Sequence, residues 1–341
     1  MNQAHPVCID SSEVNAMKRT KLFAISFGAL GMVLLILDSR TALTAAREGI
    51  DLCLRTVIPA LLPFFLLSGI LVGNLLGTSL PFAPSVGKWL GIPKGAESLL
   101  IPGFLGGYPT GAAAVQEAWK TGRIRKRDAE RLLSFCNNAG PSFLFGMVAP
   151  LFSSPSAGWM LWLIHIAGAL SAGMLLKEEP TGASLPFSGK EVTVQQAMTN
   201  ALNVTAKVCG WVILFRIVTG FLKSWFLWLL PDWGQALAVG ILELTNGCMM
   251  MNQVESEPLR FLLCGILLSF GGICVHMQTL SCTDGLSSKR YFHGKLLQTV
   301  FVVLYSLAYL FRQPLYCLPA VLPFLMKKKA KRGRNPKAAV V

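Results

Sequence analysis

Residues 132–146 read Leu132-Leu-Ser-Phe-Cys-Asn-Asn-Ala-Gly-Pro-Ser-Phe-Leu-Phe-Gly146, a membrane-grade apolar run with Asn137, Asn138, Gly140 and Pro141 at its centre. Hydrocarbon satisfies neither amides nor free backbone groups, so such an interruption persists only where protein or a water-lined cavity surrounds it. Discontinuous helices of this kind form the substrate sites of many membrane carriers. A second interrupted stretch, Ile101-Pro-Gly-Phe-Leu-Gly-Gly-Tyr-Pro-Thr-Gly-Ala112, lies just upstream. The plainer alternative is that Gly and Pro merely bend two ordinary spanning helices, since both are commoner in membrane helices than in soluble ones.

The rest of the chain agrees with a membrane setting. Its 341 residues are 53% hydrophobic and only 14% charged, with a mean hydropathy of +0.53. A soluble chain would carry about 25% charged residues. Apolar runs fall near 22–37, 56–77, 99–114, 132–151, 157–176, 198–222, 225–244, 259–280 and 296–326. Several reach the roughly 20 residues that one crossing needs. The alternation of barrel strands is absent, which predicts an all-α polytopic membrane protein.

The formal charge of +14 is concentrated beside those runs. Seven of the 31 basic residues lie in the acid-free tail from Lys327 to Lys337, and six more between Lys120 and Arg131. Such clusters fit the positive-inside rule and contact with anionic lipid headgroups, and no aromatic residues accompany the tail as nucleic-acid binding would ask. Nine cysteines without a Cys-x-x-Cys pair, and four histidines without ligand spacing, give neither a disulfide framework nor a metal site, and no cofactor is expected. Signatures of the common hydrolase, metalloprotease and phosphate-binding sites are missing, so no enzyme is expected. Met17-Lys-Arg-Thr-Lys21 followed by Leu22–Leu37 reads as an uncleaved first helix, and Met17 is a candidate start.

The chain divides into a polar segment 1–21, a first transmembrane helix 22–48, a first repeat 49–176, a polar loop 177–196, a second repeat with a terminal hydrophobic segment 197–326, and a basic tail 327–341. Both repeats run in the same order: an apolar helix, Leu62–Gly77 or Cys209–Phe221; an interrupted element, Gly103–Gly111 or Leu242–Gly247; then the tetrapeptide Leu132-Leu-Ser-Phe135 or Leu267-Leu-Ser-Phe270. Placing the N-terminus, the Lys120–Arg131 loop and the Lys289–Lys295 loop in the cytoplasm makes 99–114 and 225–244 re-entrant hairpins and the two repeats inverted. The second hairpin is expected to turn at Pro231-Asp-Trp-Gly234. A further turn at Arg312-Gln-Pro314 returns the basic tail to the cytoplasm.

Candidate binding residues follow from these breaks. Tyr108, Thr110, Ser134, Asn137, Asn138 and Ser142 sit beside them with neutral hydrogen-bonding groups, which cost less to desolvate than charges. The alternative for Ser134 and Ser142 is a hydroxyl bonded to its own helix backbone. Arg216 and Glu243 are ionisable groups inside apolar runs and therefore functional candidates, the first for an anion, the second for a proton or cation. They could equally pair with each other. Thr245 and Asn246 follow Glu243 at its break, and His276 and Gln278 follow the second tetrapeptide.

Four strings resemble the sporulation integral membrane protein YlbJ (SpoVV) family: Pro59-Ala-Leu-Leu-Pro-Phe-Phe-Leu-Leu-Ser-Gly69, Gly107-Tyr-Pro-Thr-Gly-Ala112, Glu130-Arg-Leu-Leu-Ser-Phe-Cys-Asn-Asn-Ala-Gly-Pro141 and Leu242-Glu-Leu-Thr-Asn-Gly247. That family is similar to the wider nucleoside-recognition, or Gate-domain, group. The resemblance implies a two-repeat Gate-like transport core. For its nearest relatives it implies movement of dipicolinic acid across the outer forespore membrane, on the mother-cell side, in endospore formation. The expected partners are the bilayer and a small-molecule anion, and a homo-oligomer stays open. A membrane scaffold for spore maturation and a nucleoside-type carrier are the rival readings.

Overall fold

The computed structural model describes residues 22, 25, 26, 28–75, 83–180 and 192–318. The polar segment 1–21 with Met17, most of the loop 177–196 and the tail 327–341 lie outside the described residues. Every described element is helical, and four helices are long and apolar enough to cross a membrane, or five if one bent pair counts as a span.

The bent pair opens the chain. Helix α1 (Gly28–Leu37) meets α2 (Ser39–Leu52) at 105°. Asp38 caps the new helix by accepting from the Thr41 amide, and the Trp225 indole donates to its other oxygen at 3.0 Å. From α2 a π-turn, Cys53–Val57, leads without a break into α3 (Ile58–Leu75). The rod formed by α2 and α3 lies antiparallel to α10 (Val194–Trp225): Asp38 meets Trp225, Glu48 meets Arg216, and Cys53 meets Cys209. Residue 49, the expected start of the first repeat, falls inside α2.

After α4 (Ala83–Leu90) come α5 (Leu100–Leu105) and α6 (Thr110–Lys120), which fold back on each other around Gly107-Tyr108-Pro109. Close approach requires glycine here: a Cβ on Gly111 would overlap the Cys136 carbonyl oxygen and reach the backbone of Gly103. Next, α7 (Lys126–Leu132) and α8 (Pro141–Leu151) form one broken crossing, and α9 (Pro155–Leu175) returns. The second half repeats the plan. Helices α11 (Asp232–Leu242) and α12 (Leu244–Met250) make a hairpin whose tip is Glu243, held close where a Cβ on Gly247 would strike the Gly240 backbone. Helices α13 (Glu257–Phe270) and α14 (Gly272–Cys282) form a crossing broken at Gly271, and α15 (Lys289–Phe311) runs back along α9.

Side-chain contacts give the direction of each piece. At one end Arg127 at the start of α7, Glu178 beyond α9 and Arg290 at the start of α15 meet, with bonds of 2.9 and 3.0 Å to one Glu178 oxygen. Burial would raise the Glu178 carboxyl, but the hydrogen bonds from Arg290 and Arg127 outweigh it and hold the group below its usual range. At the other end Ser153, just before α9, bonds Glu257 at the start of α13, and Arg260 bonds the Leu151 carbonyl. Hence α3 runs toward the basic end and α10 away from it. The α5–α6 hairpin enters from the basic end and the α11–α12 hairpin from the opposite one. The two broken crossings also run in opposite senses, so the repeats are inverted.

Two expectations need correction. The second hairpin does not turn at Pro231-Asp-Trp-Gly234: Pro231 precedes α11 and Glu243 makes the turn, because Pro at a helix entrance is preorganised for helix rather than for reversal. Residues 289–295 are not a loop but the first turns of α15, with Lys295 buried. Helix α15 ends at Phe311 with Arg312 left-handed and a short turn over Pro314–Cys317, while the return arm beyond residue 318 lies outside the described residues. Single cysteines at positions 125 and 284 should react with a membrane-impermeant maleimide from one side only, and those at 154 and 255 from the other. Labelling of 284 and 255 from the same side would contradict a crossing by α13–α14.

Candidate functional site

The four breaks converge. Gly107–Tyr108 of the first hairpin, Ala139–Gly140 of the first broken crossing, Glu243–Thr245 of the second hairpin and Val275 with Gln278 beyond the last break line a cavity of about 230 Å³. Apolar side chains of the rod and of α10, among them Leu61, Val208 and Val212, close it. A second cavity of about 420 Å³ sits one helical turn nearer the basic end. Each of four elements contributes to both: Leu61 then Phe65 on α3, Tyr108 then Thr110 at the first hairpin, Val208 then Val204 on α10, Gln278 then Ser281 on α14. The two spaces are stacked along the membrane normal. The larger is the more polar, with Glu117, Lys120, Lys207 and Asp284 on its wall.

Of the sequence candidates, Tyr108, Ser142, Glu243 and Thr245 line the smaller cavity and Thr110 the larger. Tyr108 joins the repeats: its hydroxyl donates to the Leu268 carbonyl at 2.9 Å, across from the last break. Glu243 is buried, and its two oxygens accept the Thr245 and Asn246 amides at 2.9 and 2.7 Å, which caps α12. Asn246 is itself buried and lines neither cavity.

Thr110 also donates to the Gly106 carbonyl at the end of α5. The others serve the scaffold around the site, Ser134 donating to the Arg131 carbonyl of α7. Asn138 donates to the carbonyls of Gly103 and Phe135 and accepts from Gln298, tying the first hairpin and the first broken crossing to α15. Asn137 donates to the Thr279 hydroxyl at 2.9 Å, across the repeats. Neither asparagine lines a cavity. Arg216 pairs with Glu48 at 2.9 Å, not with Glu243, and stands outside both cavities.

The residue that sequence reasoning missed is Lys295. It is 1% exposed, and its ammonium donates to the Tyr108 hydroxyl oxygen at 3.0 Å and to Gln298 at 2.8 Å, 4.9 Å from the centre of the Tyr108 ring. No carboxylate pairs with it among the described residues. Tyr108 thus stands between a buried cation and the smaller cavity. A signal was present: Tyr291, Lys295, Gln298 and Val302 recur at helical spacing and are all buried, so a polar stripe of α15 faces protein. On that stripe Tyr291 lies 2.8 Å from Nδ1 of His276 and donates to Thr279.

No family model matches the chain, and no solved structure matches it. The chain is similar to the sporulation integral membrane protein YlbJ of Bacillus subtilis (strain 168), 26% identical over 354 residues that cover 89% of this chain and 85% of that protein. That coverage takes in all four breaks, and with the apolar helices it marks the chain as an integral membrane protein.

Proposed function

We propose that the chain is a secondary carrier for a small polar anionic metabolite, dipicolinic acid, across the outer forespore membrane during endospore formation. The observation that carries this reading is the smaller cavity, which lies where the four helix breaks of two inverted repeats meet. Breaks in hydrocarbon are tolerated where they line a cavity, and midplane cavities between inverted repeats are where carriers hold their solutes. The stacked larger cavity supplies a route from the basic, cytoplasmic end, where Lys120 and Lys207 offset Glu117 and Asp284 on its wall. Tyr108 offers an aromatic surface to a flat pyridine ring, with the Lys295 charge behind it. The many polar groups that bond protein rather than line the cavity favour the rival scaffold reading.

Purified protein in liposomes, offered labelled dipicolinate, nucleosides and other dicarboxylates, tests the proposal. Saturable dipicolinate uptake supports it, whereas uptake of no solute by correctly folded protein supports the scaffold. Lys207→Glu should weaken apparent affinity for the anion roughly three- to tenfold, as expected for reversing a partly exposed charge, with a small loss of thermal stability from the broken bond to the Ser281 carbonyl. Equal affinity in low salt would exclude the larger cavity from the route.

A further inference from the structure

We propose that Glu243 couples the carrier to a proton, so that one proton enters and leaves with each anion; the inference rests on the transport reading above. Among the described residues that line the smaller cavity, Glu243 is the one with a formal charge, and it is negative. The first hairpin is the inverted counterpart of the second, yet its tip, Gly107-Tyr108-Pro109, carries no acid. An anion and the Glu243 carboxylate would therefore share about 230 Å³ at like charge. Like charges in one site disfavour each other's ionised forms, so a proton on Glu243 and an anion in the cavity each strengthen the binding of the other.

The surroundings leave this role to Glu243. Arg216, on α10, is within electrostatic reach; its Nη2 bonds Glu48, and its Nη1 is buried without a hydrogen-bond partner among the described residues. Thiols of Cys53 in the π-turn, Cys248 on α12 and Cys274 on α14 also face it, and thiols are neutral at ordinary pH. The Tyr108 hydroxyl already donates to Leu268. With the cavity empty, the carboxylate is held by the Thr245 and Asn246 amides, a stable place for its charge. On loading, water on the substrate side delivers a proton to a Glu243 oxygen as the anion enters. On release, the anion departs and the proton returns to water on the far side.

Full-length protein in liposomes clamped at zero potential gives the test. With an interior more alkaline than the bath, the wild type should accumulate labelled dipicolinate at least tenfold above equilibrium. Glu243→Gln should lose that accumulation yet retain measurable dipicolinate exchange, which moves no net proton, and Glu243→Asp should keep the dependence in part. In weakly buffered detergent solution, wild type should take up one proton per dipicolinate bound and Glu243→Gln none. Dipicolinate movement by wild type that ignores the pH gradient, or follows a sodium gradient instead, overturns the coupling and leaves the carrier reading intact. The coupling is equally overturned if Glu243→Gln still accumulates. If Glu243→Gln does not fold, the wild-type proton uptake decides, and its absence overturns the coupling. Wild type that neither binds nor moves dipicolinate overturns both readings.

Discussion

Asn138→Leu is expected to abolish folded protein, not to slow a reaction. The Asn138 amide meets the carbonyls of Gly103 and Phe135 and the Gln298 side chain, all in the buried centre. The Gln298 amide keeps the His165 carbonyl at 3.4 Å. Leaving a buried polar group without its partner costs about 1–3 kcal/mol, so the two carbonyls cost about 2–6 kcal/mol. Native domains have a total stability of only about 5–15 kcal/mol. Leucine also branches into the space where the first hairpin meets α15. The expected result is loss of the monodisperse peak on size exclusion in detergent and of any cooperative thermal transition. A variant that melts like wild type would show that the amide is not structural.

Lys295→Met should have a different profile, a folded protein with weakened anion handling. It removes a buried charge that no carboxylate pairs, which offsets the roughly 1–3 kcal/mol lost where the Gln298 oxygen is left without its donor. Function is another matter. An anion on the cavity side of the Tyr108 ring would sit about 9 Å from the ammonium, where one charge pair is worth about 2 kcal/mol at an effective dielectric constant of about 20. That corresponds to about a 30-fold weaker apparent affinity for a single charge. Binding isotherms for dipicolinate against a neutral pyridine amide check it: the dianion should lose affinity and the amide should not. Equal losses for both would mean that Lys295 acts by shaping the wall.

Much of the architecture could be read from the residues, and for identifiable reasons. Gly, Pro and Asn inside apolar runs cannot be hidden in lipid, so the breaks at 107–109 and 133–140 announced themselves. The order of elements in the two halves likewise survived, because each hairpin needs its own pair of small residues, Gly103 with Gly111 and Gly240 with Gly247. The location of the second turn did not. Proline and tryptophan marked a helix entrance there, while the reversal itself falls at Glu243, inside the interruption read at Leu242–Gly247. Partnership was also out of reach: Asn137 and Asn138 are spaced to leave a helix face, but whether they meet solute or carbonyls depends on segments 142 and 160 residues away. Lys295 sits near the start of an apolar run, where lysine ordinarily reaches back to the interface. Only the packing of α15 against the breaks buries it.

The rod that precedes the first hairpin has a mechanical consequence. Helices α2, α3 and α10 are bound to each other by the pairs Asp38–Trp225, Glu48–Arg216 and Cys53–Cys209. Hairpins and broken crossings are bound to each other through backbone contacts at glycine and through Asn138, Tyr108 and Lys295. Between these two bodies, among the described residues, the one side-chain hydrogen bond runs from Lys207 to the Ser281 carbonyl at 3.3 Å. Both cavities lie in that seam, faced from the rod side by Leu61, Phe65, Val204 and Val208. The glycine-clamped block cannot bend without parting its backbones. The chain is therefore built as a bearing: a stiff block, and a three-helix paddle that meets it across the cavities almost wholly through apolar contacts.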